Sequence, residues 1–123
     1  MTLEEKVAYL ESENKEMLEK IDLLSFKLDL LFDNSESSRY IFERNFTHDQ
    51  YVKIMDLMDE VRGKLDKKEK VSHSEFESKL RQIADDADYH DAEIITKLFM
   101  EEGRWEEVFP ALYGNMPKYR GLF

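Results

Sequence analysis

VAYLESENKEMLEKIDLL, residues 7–24, decides the fold, because its apolar residues advance in steps of three and four with no Gly or Pro between them. Extended in both directions, the row runs Leu3, Val7, Leu10, Asn14, Met17, Ile21, Leu24, Leu28 and Leu31. Such steps average about 3.5 residues against about 3.6 per turn of an α-helix, so the stripe drifts around a lone straight helix. Winding around a second helix keeps it buried. Val7, Asn14, Ile21 and Leu28 take heptad position a, and Leu3, Leu10, Met17, Leu24 and Leu31 take d. β-Branched residues at a with Leu at d favour two parallel strands. The expected assembly is a homo-oligomer, with a dimer favoured and a trimer possible.

Asn14 is the polar exception in that row. At position a an amide bonds its twin across a parallel dimer, whereas another register leaves it buried and unpaired at a cost of roughly 1–3 kcal/mol. Lys6 at g faces Glu11 at e of a parallel partner, which adds a weak attraction. After residue 22 the pattern changes. Leu23, Leu24, Phe26, Leu28, Leu30, Leu31 and Phe32 cover every side of the helix. The rest of the chain, or the same region of a second subunit, is expected to wrap this part.

Composition narrows the class. Of 123 residues, 41% are apolar and 37% charged, and Gly (4) and Pro (2) are scarce, so few helix breakers interrupt many helix formers. An all-α fold follows: a long coiled-coil helix, then a small multihelical bundle ending in a helical hairpin. Residues 1–33 read as the oligomerisation helix, 34–113 as the bundle and 114–123 as a tail. A net charge of -10 repels nucleic-acid phosphates and anionic lipid, so no direct nucleic-acid or membrane partner is expected. With no Cys, no signal-like leader and no long apolar run, the chain reads as a cytoplasmic protein.

Further along, DNSESSRYIFERNF (33–46) reads as a turn followed by a short apolar helix. Thr47-His-Asp-Gln50 and Ser72-His-Ser-Glu75 have the form of capping boxes. The first opens a helix carrying Tyr51, Ile54, Met55, Met58, Val61 and Leu65 on one side. The second opens a helix with Phe76, Leu80, Ile83 and Ala87. Asp91 reads as the N-cap of a helix with Ile94, Ile95, Leu98 and Phe99, which Gly103 ends as a left-handed cap. Trp105, Val108, Phe109 and Leu112 read as a last short helix that Pro110 kinks or stops. The tail, GNMPKYRGLF, is punctuated by Gly and Pro yet apolar at its end, so it either docks or serves as a binding peptide.

KLFMEEGRWEEVFPALYG, residues 97–114, looks like the tight helical hairpin of tetratricopeptide-type repeats, but no second copy follows at a period of about 34, so a repeat array is excluded. A broader likeness joins LDLLF, SRYIFERNFTHDQYVKIMDLMDEV, HSEFESKLRQIA and EIITKLFMEEGRWEEVF. From Phe26 to about Tyr113 this order resembles the YhaI-like family of uncharacterised small all-helical Bacillus proteins. That family ends in a hairpin built around EQGxY or a similar run, here EEGRW at 101–105. The resemblance implies a multihelical, oligomeric fold with no known activity and supplies no catalytic or ligand residue. A longer N-terminal helix and Pro110 set this chain apart.

The titratable residues form no pattern that carries chemistry. His48, His73 and His90 lie far apart near turns, with no HExxH motif and no ExxH pair, so they read as capping or surface residues. An EF-hand begun at Asp86 would place Asp91 where Gly is needed and Lys97 where the bidentate Glu belongs. No Gly-rich phosphate loop and no Ser nucleophile context occurs. No cofactor, metal or enzymatic activity is expected. Tyr40, Phe42, Phe46, Phe76, Phe99, Trp105 and Phe109 read as the bundle core, although with Met55, Met58 and Met100 part of the group could line a partner-binding groove. The expected function is therefore an oligomeric interaction or regulatory protein that self-associates through the first helix and binds an unidentified protein through the bundle. The alternative is a small acidic inhibitor, of the phage anti-defence or nucleic-acid-mimic type, blocking a basic surface on a nucleic-acid enzyme.

Overall fold

The computed structural model describes residues 1–122 and is all-helical. Thr2 opens α1 (Leu3–Asp33) by accepting the Glu5 amide on its hydroxyl at 3.1 Å. Asn34, at φ 50°, closes it with its own amide on the Leu30 carbonyl. Ser35 then caps α2 (Glu36–Glu43), while Ser35 and Ser38 both donate to Asp33 at 2.6 Å. Those hydroxyls hold the Asp33 carboxyl below its usual range. The end of one helix and the start of the next are thus tied into a single corner.

Thr47 and Gln50 form the reciprocal capping box that opens α3 (His48–Asp66), with bonds of 2.9 and 3.1 Å. Ser72 caps α4 (His73–Ile83) through the Glu75 amide. The cap of α5 (Tyr89–Glu101) is Asp88, not Asp91. Asp91 instead fills the third helical position and accepts the Asp88 amide at 3.0 Å, the reciprocal arm of a box whose capping oxygen comes from Asp88. Gly103 turns the chain at φ 75° as the spacing requires.

The final helix, α6 (Val108–Tyr113), starts later than expected. Trp105 stands at φ 46°, outside the helix, and its ring is anchored by Nε1–H donating to Asp59 at 2.7 Å. Pro110 neither kinks nor stops α6, because it occupies the first turn, where its missing amide has no intrahelical acceptor to lose. A 3-10 turn, Pro117–Tyr119, follows.

One core fills the space among α2 to α6. Ile41, Phe46, Ile54, Met58, Phe76, Leu80, Ile95, Phe99, Val108 and Phe109 are all buried in it. Across the α3–α4 pair, Lys79 reaches Glu60 at 2.5 Å and Lys64 reaches Glu75 at 3.2 Å, so acids and bases alternate on the outer surface. Helix α1 meets this body mainly through its last turns, against α2 and α3.

Candidate protein-interaction surface

Two faces of α1 behave differently. Phe26 and Leu30 are 6% and 5% exposed, and they fall at heptad positions f and c, on the side opposite the a and d stripe. Phe26 stacks on His48 at a centroid distance of 4.9 Å and tilts against Tyr51 at 5.4 Å. Asp22 lies 3.8 Å from the same imidazole. On the neighbouring flank the Lys27 ammonium sits 5.7 Å from the centroid of Phe42. The bundle therefore grips α1 along c, f and one adjoining edge.

The a and d side is bare. Leu3, Val7, Leu10, Met17, Ile21, Leu24, Leu28 and Leu31 are all exposed, from 46% at Val7 to 77% at Leu3, and Asn14 is exposed among them. Leu18 and Phe32, both at e, extend the apolar surface along one margin, and Phe32 at 81% is the barest large side chain on the helix. Of the two coverings expected for residues 23–32, the rest of the chain supplies only one side. Within the subunit Phe26 and Leu30 are covered and Leu23 and Lys27 half-covered, while Leu24, Leu28, Leu31 and Phe32 face outwards.

The aromatic and Met residues singled out in the bundle separate into two sets. Phe46, Met58, Phe99 and Phe109 are fully enclosed and form the core. Tyr40, Phe42, Met55 and Trp105 are half-buried at its margin. Arg104 lies over both Phe99 and Trp105, at 4.8 and 5.0 Å from their centroids, so the margin near the hairpin presents an arginine on an aromatic shelf. Phe46, Met58, Phe99 and Phe109 are thus closed to another molecule, and Met55 and Trp105 are partly open to one.

Two polar clusters are invisible in the sequence because their members are distant along the chain. Asp91, buried, accepts from Arg44 Nε at 2.7 Å and Nη2 at 2.9 Å and from the Tyr40 hydroxyl. Burial opposes its ionisation, but the hydrogen bonds from Arg44, Tyr40 and the Asp88 amide outweigh that and hold the carboxyl below its usual range. Burial, and then the bond to this carboxylate, push Tyr40 well above an ordinary phenol. The second cluster centres on Glu93, which is buried and accepts from Lys118 Nζ at 2.6 Å and from the Tyr119 hydroxyl. Burial and the Glu93 bond raise Tyr119 to about 12. Tyr119 also meets Phe109 edge-on at 5.0 Å, so residues 117–119 of the tail lie on the chain's own α5 and α6. In both clusters a buried carboxylate is held by a cation and a tyrosine from other parts of the chain, and they read as latches.

His48 lies under α1, His73 packs on Tyr113 at 5.6 Å and His90 on Tyr89 at 4.0 Å. Among the described residues no group of three or more His, Asp or Glu side chains could hold a metal ion, and no helix is long and apolar enough to cross a membrane. The surface that stands out chemically is the bare stripe of α1. No family model, curated protein or solved structure matches this chain.

Proposed function

We propose that the protein is a non-enzymatic, self-associating interaction module in which α1 of one copy pairs with α1 of another and the bundles meet a protein partner. A single observation carries the reading. The heptad stripe is exposed along its whole length while the helix docks on its own bundle through the opposite side, leaving the stripe free for a second molecule. The exposed stretch also needs support, since most helical stability in proteins comes from packing an apolar face and little from propensity alone. We assign the contact with another protein to the margin at Met55 and Trp105, where Arg104 lies against both. The dispersed ion pairs of α3 and α4 favour this over an acidic mimic, which needs carboxylates ranked on one face without intervening bases.

Sedimentation equilibrium of the full chain tests the reading. The expected mass is a multiple of 14.7 kDa at micromolar concentration, reduced to the single value by Leu10→Glu with Ile21→Glu. A wild-type chain that stays at the single mass to its solubility limit refutes it.

A further inference from the structure

The margin of the stripe says how the two copies are arranged. In a parallel two-stranded coil each g residue faces the e residue five positions further along the other strand, whereas antiparallel strands set g against g and e against e. Parallel pairing of α1 makes two such cross-strand contacts meaningful. Lys6 meets Glu11 of the partner subunit, and Lys27 meets Phe32 of the partner subunit. The second contact accounts for a side chain the single subunit leaves unexplained. Phe32 is 81% exposed, and Lys27, the residue that would face it, already lies over the Phe42 ring at 5.7 Å. Antiparallel strands instead carry Phe32 towards the acidic first turn at Glu4 and Glu5, or beyond its end, and set the Asn14 amide against an apolar d residue.

Building on the self-association proposed above, we infer that α1 pairs in parallel and in register with a second copy, each Phe32 closing against Lys27 and Phe42 of the other subunit. The occupant of the bare stripe is thus this chain itself. Charge supports the choice, since Glu11 and Lys6 are complementary across the strands and an anionic membrane would repel a chain of net charge -10. Geometry supports it as well. The bundle lies on the c and f side, so two bundles sit at the same end of the coil, on opposite outer sides, with α2 of each beside the e margin of the other. Phe32 and Phe42 would then sandwich one lysine stem from two subunits, a joint that neither subunit possesses alone.

Because the chain contains no Cys, one engineered thiol reports alignment without ambiguity. Val7→Cys at a and Leu31→Cys at d are made separately in the full chain, with Ser12→Cys at the outward f position as the collision control, and each is mildly oxidised. Parallel, in-register pairing gives disulfide-linked dimers from both single-site variants and none from the control. Phe32→Ala is expected to raise the dimer dissociation constant about tenfold while leaving the mass and melting of the dilute monomer unchanged. A dimeric mass with no crosslink from either variant alone, but a crosslink when the two are mixed, overturns the orientation and leaves self-association standing. A mass of three copies overturns the two-stranded arrangement. A single-chain mass at every concentration overturns the self-association beneath it.

Discussion

Two substitutions five residues apart on α1 separate its faces energetically. Phe26 is 6% exposed and its ring lies on His48 and Tyr51, so Phe26→Ala removes a buried aromatic within one subunit. Such truncations cost about 3–5 kcal/mol, and the lower end applies at a junction open on one side. At about 3–5 °C per kcal/mol for a chain of this size, the melting temperature should fall by about 10–15 °C at every protein concentration. Ile21 is 57% exposed, so Ile21→Glu should change the isolated subunit by no more than about 0.5 kcal/mol. In the dimer it removes two buried Ile side chains at about 2 kcal/mol each, before charge repulsion, which weakens association by about a thousandfold. The single Trp, Trp105, sits in the bundle against Asp59 of α3, so its fluorescence follows bundle unfolding while sedimentation follows mass. Dilute Ile21→Glu protein should melt with dilute wild type, and Phe26→Ala should melt early at any dilution. If Ile21→Glu lowers the dilute melting as far as Phe26→Ala does, the stripe is packed within the subunit and the division of faces is wrong.

Acid should weaken the bundle through Asp91 and Glu93, whose folded carboxyls are held below their usual values. A depressed folded pKa contributes stability that is complete above the unfolded value and lost as pH falls through the folded one. Thermal melting should therefore decline below about pH 4, and Asp91→Asn should flatten part of that decline while starting from a lower plateau. Tyr119→Phe deletes one hydrogen bond to the buried Glu93 carboxylate and should cost about 1–2 kcal/mol by urea unfolding; no change would mean the tail does not stay on α5. Asn14→Ile should raise the melting temperature of the assembly and broaden its stoichiometry, as seen by sedimentation velocity, because an apolar a layer tolerates other strand numbers. A variant with unchanged melting and mass would show that position 14 never enters an interface.

Local signals made the helices legible. Thr47 and Gln50 announce α3 through a bond pattern confined to four residues, and Gly103 marks the hairpin because only its conformation fits the turn. The heptad row was legible for the same reason, since periodicity along one helix needs no knowledge of the rest of the fold. Where the sequence misled, the cause was non-local. Asp91 looks like a cap from its neighbours, yet its place is settled by Tyr40 and Arg44, 51 and 47 residues away. Trp105 looks helical by spacing, but Asp59 on α3 takes its indole N–H and the backbone turns left-handed there. The apolar residues 23–32 could not be divided by hydrophobicity alone, because both sides of the helix carry Leu and Phe. Only the docking of α2 and α3 assigns Phe26 and Leu30 inwards and Leu24, Leu28, Leu31 and Phe32 outwards.

That division explains why α1 carries apolar residues on two opposite sides. A helix that only needed to close the bundle could have polar residues at a and d, since Phe26, Leu30 and the half-covered Leu23 already supply its grip. The nine-position stripe continues more than three turns beyond the last contact with the bundle, over a stretch whose other faces are laid out for water. Glu11 with Lys15 and Glu16 with Lys20 are i, i+4 pairs in the favourable order, and each adds about 0.3–0.5 kcal/mol to the helix itself. Those increments are too small to offset the conformational entropy of ordering some 20 residues at about 1–2 kcal/mol each. Burying the stripe stabilises the helix several-fold more than these pairs do, and a single subunit does not supply that burial. On the proposed pairing, the helix and the interface would form one cooperative unit, in which the bundle holds the last turns of α1 through Phe26 and Leu30 and the strength of pairing sets the order of the turns before them.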